Sequence, residues 1–288
     1  MNFMPALRKN LLKGIGLLAA APFSRTARAR LRHPLLYRLL RAGSPLTHHQ
    51  YHARIAASYL RGKPGRVLVV GCNTGLECRV FTELGAEQVD GLDLIEKIGT
   101  GFTHDRVSYL RVSAEKMGIR DDTYDLVYCY ATMEHIADIA AAFAECVRVT
   151  RPSGVIYSVA APLWCSRFGH HKSDIFPRHP WVHLRLDEEQ ILALSKREGI
   201  VDPTGRREVA FHVRYMMNPA FFNRVRASRY VEVCRNLAHV KILVNDLNLE
   251  PESVLPDDLY RELERKGYSH QDLLALGHTF VARRLSAS

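Results

Sequence analysis

Val67-Leu68-Val69-Val70-Gly71-Cys72-Asn73-Thr74-Gly75, followed eighteen residues later by Asp93, is the stretch whose reading decides the fold. Four consecutive apolar residues with no polar alternation predict a short strand buried on both faces, the habit of a parallel sheet. The glycines then bring the backbone through a tight loop into a helix, where a ligand can approach without side-chain obstruction. The spacing is not the dinucleotide fingerprint, because after Gly71 the G-x-G-x-x-G pattern is missing. Asp93 falls at the end of the next predicted strand, where a carboxylate can accept hydrogen bonds from ribose hydroxyls.

The surrounding texture agrees. A helix is predicted over Thr47 to Leu60, ended by Gly62-Lys63-Pro64-Gly65, and a second over Leu76 to Leu84, closed by Gly85. Strands are predicted at Gln88 to Leu92, Val107 to Val112, Tyr124 to Cys129 and Val155 to Ala160, with an Ala-rich helix at Ile139 to Val149. Such alternation implies βαβ units with right-handed crossovers. Beyond residue 160 the expectations are a helix over Leu186 to Glu198, late strands at Val209 to Tyr215 and His278 to Arg284, and a helical insertion at about 216–272.

In these blocks the chain resembles the class I S-adenosylmethionine-dependent methyltransferases, most closely those acting on small molecules, lipids or glycans. The resemblance covers about Gln50 to Ala161. Its further blocks are Ser113-Ala114-Glu115, Asp121-Asp122-Thr123-Tyr124-Asp125-Leu126-Val127, Met133-Glu134-His135 and Arg148-Val149-Thr150-Arg151-Pro152-Ser153-Gly154. It implies an α/β Rossmann-like fold, a mostly parallel seven-stranded sheet with helices on both faces. It also implies S-adenosyl-L-methionine as cofactor, held by Gly71, Cys72, Asn73, Gly75, Asp93, Leu94, Ala114, Glu115 and Tyr130. Tyr130 lies over the cofactor edge or belongs to the core. Three positions depart from the family pattern: Asn73 where a glycine is usual, Val69 where an acid is common, and Ser113 where an aspartate is common. Asn tolerates left-handed backbone, so the turn can survive.

A second cluster follows the fifth strand. Four histidines, Asp174 and both tryptophans fall between Trp164 and His183. Beyond the carboxyl ends of parallel strands, this is acceptor territory. His170 and His171 are candidate bases, with His135 at the exit of strand four as a third. Trp164, Asp174 and Trp181 are candidate acceptor contacts. The spacing matches no standard metal motif. His48, His49 and His52 read as a solvated helix face.

Charge divides the chain. Residues 1–66 hold thirteen Lys and Arg and no acid, and the remainder is −3. The segment 1–46 is thus a basic helical extension before a methyltransferase domain at 47–288. It suits an anionic membrane surface, a targeting peptide or a packed accessory helix. It lacks the interleaved aromatics of a nucleic-acid arm. Six cysteines without a CxxC pair suit a cytoplasmic location, with or without peripheral membrane contact. The expected activity is methyl transfer, by O-methylation, to a small-molecule, lipid or glycan acceptor. The competing readings are a catalytically silent binding module and an RNA or protein methyltransferase.

Overall fold

The computed structural model describes residues 48–286; the basic segment 1–46 lies outside the described residues. A seven-stranded sheet runs in the order β3-β2-β1-β4-β5-β7-β6. Its strands are β1 Arg66–Val70, β2 Gln88–Asp93, β3 Val107–Arg111, β4 Tyr124–Tyr130, β5 Thr150–Ala160, β6 Val240–Leu249 and β7 Ala275–Arg284. β1 to β5 pair in parallel, and β7 runs antiparallel to both β5 and β6.

The pleat of β1 sorts its side chains onto two cores. Val67 and Val69 pack against Ala53 and Ala56 of α1 (His48–Ser58) and Val80 and Phe81 of α2 (Leu76–Glu83). Leu68 and Val70 face α3 (Ile139–Val149) and α7 (Ala227–Arg235), which contribute Phe143, Cys146, Tyr230 and Cys234. Helices on both faces bury β1 from Val67 to Val70, which explains its unbroken apolar run. Asp138 caps α3 by accepting from the Ala140 and Ala141 N–H groups, both at 3.0 Å.

The remaining helices form a cap beyond the carboxyl ends of the strands. They are α4 Val182–Arg185, α5 Glu188–Glu198, α6 Val209–Met217, α8 Asp257–Arg265 and α9 His270–Leu274. Two small cores hold them: Trp164, Trp181, Phe222, Leu263 and Leu273 in one, Phe176, Ile191, Val213 and Met216 in the other. α5 begins with a capping box between Asp187 and Gln190 and ends at Gly199 in left-handed geometry.

Two expectations are corrected here. Val209 to Tyr215 is helical, because its buried residues His212, Val213 and Met216 follow a helical period; Phe211, Val213 and Tyr215 only imitate strand alternation. The sixth strand instead lies within the predicted insertion, at Val240–Leu249. That strand is an exposed edge rich in Asn and Asp, so its propensity is poor, and pairing along β7 makes it. The insertion is therefore helical only on either side of β6. Among the described residues no helix is long and apolar enough to cross a membrane. All six cysteines are free and buried.

Candidate functional site

Three loops meet at the carboxyl edge of β1, β2 and β4, and each carries a non-glycine residue at positive φ: Asn73 (50°), Ala131 (50°) and, in the loop after β5, His171 (58°). Such backbone is uncommon outside glycine and clusters where function demands it. Asn73 thus adopts the left-handed geometry its identity allows. Gly71 (φ 74°) is needed for a second reason, since an added Cβ would collide with Thr132. Gly71→Ala is expected to cost about 2–3 kcal/mol, from left-handed backbone plus displacement of Thr132, as read by urea denaturation.

The loop's N–H groups are largely spent on the fold. Gly71 and Cys72 donate to the Leu92 carbonyl at 2.8 and 3.1 Å, and Gly75 donates to Cys72. These amides are thus turned into the fold, and the glycines provide close approach, not donors. Asp93 Oδ2 accepts from Asn73 N–H at 2.8 Å, and Oδ1 from Leu94 and Ile95 at 2.7 and 3.3 Å. A carboxylate has about four acceptor positions. One on Oδ2 is left, and the long Ile95 contact is readily exchanged for a ribose hydroxyl. Leu94 is 61% exposed beside it, an apolar surface suited to a purine face. The donor set therefore fits the cofactor. Glu115 is turned elsewhere, accepting from Asp138 N–H at 2.7 Å and Ser113 Oγ at 3.3 Å, while Ala114 is buried.

α1 covers this edge, and two of its histidines, His49 and His52, do not form a solvated face. His52 is buried, stacks on Tyr130 with ring centroids 4.5 Å apart, and bonds Tyr157 Oη through Nδ1 at 2.8 Å. His49 Nδ1 lies 2.6 Å from the buried Glu77 carboxylate, in the first turn of α2. That hydrogen bond raises the His49 pKa. A raised folded pKa gives stability that is present in full below the unfolded value of about 6.5 and is lost as pH rises through the folded one. The melting-temperature gap between wild type and His49→Gln should accordingly be widest near pH 5.5 and shrink toward pH 9.

On the acceptor side, the exit of β4 forms a 3₁₀ turn, Met133–His135. Glu134 is buried; its Oε1 accepts from Ala161 N–H at 3.3 Å, Oε2 has no partner, and burial pushes its pKa up to about 8. His135 Nδ1 lies 2.6 Å from the Phe221 carbonyl, and His171 Nε2 lies 3.0 Å from the Pro162 carbonyl. Carbonyls only accept, so both nitrogens carry the proton. Burial lowers both pKa values, that of His171 to about 4, so the rings are neutral with His135 Nε2 and His171 Nδ1 as bare acceptors. The two rings lie 5.1 Å apart edge to face, over Phe222.

Residues 68–158 match the family described as methyltransferase domain. Over these residues the chain is similar to a methyltransferase domain. It is 36% identical over 98 residues to a ubiquinone biosynthesis O-methyltransferase of Rhizobium rhizogenes, covering 32% of this chain and 39% of that protein. A protein of the same description from Rhodopseudomonas palustris is 32% identical over 97 residues, covering 32% and 38%. The chain thus spans well under half of the curated relatives it matches. Among solved structures, an S-adenosylmethionine-dependent methyltransferase from Mesorhizobium loti is 17% identical, with a TM-score of 0.44 over 77% of this chain and 92% of that one.

Beside the β4 exit the histidine-rich loop divides in two. His171 joins His135; His170 does not. His170 is wholly buried, its Nδ1 accepts Lys172 N–H at 3.0 Å, and burial pushes its pKa down to about 2. It packs against His183 and Phe176 and has no route to an acceptor, which removes it as a base. Trp181 is also wholly buried, its indole N–H bonded to the Cys165 carbonyl, and is a core residue of the cap. Trp164 is buried too, its ring sandwiched by Arg224 and Phe222. Asp174 is exposed at the loop surface.

Several residues of this site carried little sequence signal. Thr132 packs on Gly71. Asn223 clamps the 218–226 loop onto the β4 exit, donating from Nδ2 to the Met133 and Ile136 carbonyls at 2.8 and 2.9 Å, with its own N–H on the Glu134 carbonyl. Glu134 stood in a quoted motif, and an acid beside a histidine after strand four was the available clue.

Proposed function

We propose that the protein transfers the methyl group of S-adenosyl-L-methionine to an oxygen of a small-molecule, lipid or glycan acceptor. The cofactor supplies a methyl already activated by its sulfonium, so the chain's task is alignment, which can contribute about 7–11 kcal/mol. Asp93 orients the ribose, Leu94 and Ala114 border the base, and Tyr130 under His52 lines the edge toward the acceptor. His135 Nε2 and His171 Nδ1, both unprotonated, accept the hydrogen of an acceptor hydroxyl and hold its oxygen toward the methyl. The surrounding Phe222, Tyr215 and Phe221 favour an acceptor with an apolar body. The observation that carries this reading is the pairing of His135 and His171 beside the β4 exit, rings 5.1 Å apart and each with one nitrogen held on a backbone carbonyl. The curated O-methyltransferase relatives support it over 97–98 residues alone. The basic segment 1–46 supplies a membrane-surface contact for an acceptor held in lipid.

Radiolabelled cofactor incubated with the full chain and a cell extract tests the acceptor class. Label should partition into the organic-soluble or small-molecule fraction; label confined to RNA or protein would overturn the assignment. The RNA alternative also requires activity to fall steeply with salt.

A further inference from the structure

One donor atom from each of Glu134, His135 and His171 lies within 4.8 Å of the other two. The hydrogen-bond pattern around them is that of a ligand set. Each imidazole gives its proton to a backbone carbonyl, Phe221 for His135 and Pro162 for His171, and this fixes the ring while leaving the other nitrogen bare. Metal-ligating histidines are oriented in this way. The third member, Glu134, is 2% exposed and its Oε2 has no hydrogen-bond partner. Glu134 Oε2 is thus a buried oxygen with no partner among the described residues, which is costly, and each neighbouring imidazole keeps one nitrogen off the carbonyls.

We propose that Glu134, His135 and His171 form a binding site for a divalent transition-metal ion of the zinc type. Two imidazoles and one carboxylate make a three-ligand set that leaves a coordination position open. The nitrogen-rich set disfavours magnesium and calcium, which take oxygen. Zinc bonds of about 2.0–2.1 Å place ligand atoms about 3.3 Å apart, so side-chain rotation of at most about 1.5 Å closes the site. With the ion bound, the two imidazole lone pairs ligate it instead of accepting the acceptor's hydrogen, and the open position takes the acceptor oxygen; this role, though not the presence of the ion, rests on the methyl-transfer reading. Lys172 is engaged over the Tyr215 ring, its ammonium 4.4 Å from the centroid, which keeps that charge occupied beside the site.

The test is titration of chelator-stripped full-length protein with zinc against a chromogenic competitor, with cobalt(II) as spectroscopic probe. One equivalent should bind, and cobalt should give visible d–d bands that zinc abolishes. His171→Ala and Glu134→Gln should weaken binding about 100-fold or more, and Asn223→Ala, which loosens the loop bearing the Phe221 carbonyl, about tenfold. Should a variant fail to fold, imidazole nitrogen NMR of the wild type decides: zinc should shift His135 Nε2 and His171 Nδ1 and leave His183 and His278 unmoved. Absence of stoichiometric binding, unchanged affinity in folded variants, or shifts at surface histidines alone would overturn the site. Calorimetry with the cofactor on metal-free protein reports separately, so loss of the metal site leaves the methyltransferase reading standing.

Discussion

Asp93→Ala should weaken S-adenosylmethionine binding by about 100-fold or more while leaving the fold in place. Hydrogen bonds to a charged group are worth about 1.5–3 kcal/mol each, and two ribose hydroxyls would share this carboxylate. The substitution also releases the Asn73 and Leu94 amides, so the glycine loop loses its tie to the end of β2. Those amides lie at a partly exposed edge and can turn to water, which limits the loss of stability to about 1–2 kcal/mol. Asp93→Asn should fall between, since it keeps one acceptor oxygen and turns an amide donor toward other donors. Calorimetric affinity with a parallel thermal melt distinguishes the outcomes. Retained affinity in a folded Asp93→Ala protein would show that the ribose is held elsewhere.

Asn223→Ala should have the second largest effect, and on two readouts together. Its two amide hydrogens go to the Met133 and Ile136 carbonyls, and its oxygen accepts from Val225 N–H at 3.0 Å and Tyr230 Oη at 3.3 Å. Removing it strands the Ile136 carbonyl at the β4 exit, at about 1–3 kcal/mol, and leaves the Met133 carbonyl only its 3.3 Å bonds from Ile136 N–H and Tyr230 Oη, so a stability loss of about 2–3 kcal/mol is expected. The 218–226 loop also delivers the carbonyl that fixes the His135 tautomer. Turnover should therefore fall about tenfold or more with little change in cofactor affinity, because Asp93 and the β1 loop lie outside this clamp. Asn223→Asp should be at least as damaging, since it removes the donors and sets a charge near the buried Glu134. Equal loss of cofactor affinity and turnover would mean that the clamp serves the whole fold and not the acceptor side.

The cofactor half was legible because its signals are local. The β1 run, the glycines and Asp93 lie within 27 consecutive residues, and their meaning follows from one strand, one turn and the next strand end. Even Asn73 could be read, since few residues other than Gly adopt positive φ readily. The acceptor half was not, because tertiary contacts made it. His170 and His171 are neighbours in sequence, yet one backbone at positive φ sends His171 to the site and leaves its neighbour in the core. Val209–Met217 and Val240–Leu249 carry patterns that suit either period, and packing on the cap or pairing with β7 decided each. The engagement of His49 and His52 in α1 escapes a local reading for a similar reason: their partners Glu77 and Tyr157 are 28 and 105 residues away.

The cap and the sheet thus divide the work. In the proposed function the sheet edge, with Asp93 and the β1 loop, holds the nucleoside, while the cap brings His171, Phe222 and Asn223 to the β4 exit for an acceptor. The cap follows the fifth strand and so falls outside residues 68–158, the stretch matched by the family domain.

Calorimetric titration of the full-length protein with S-adenosylmethionine tests the central claim most directly. One site per chain with micromolar affinity, lost on Asp93→Ala, is the predicted result. No heat at millimolar cofactor, from protein shown to be folded, would contradict it.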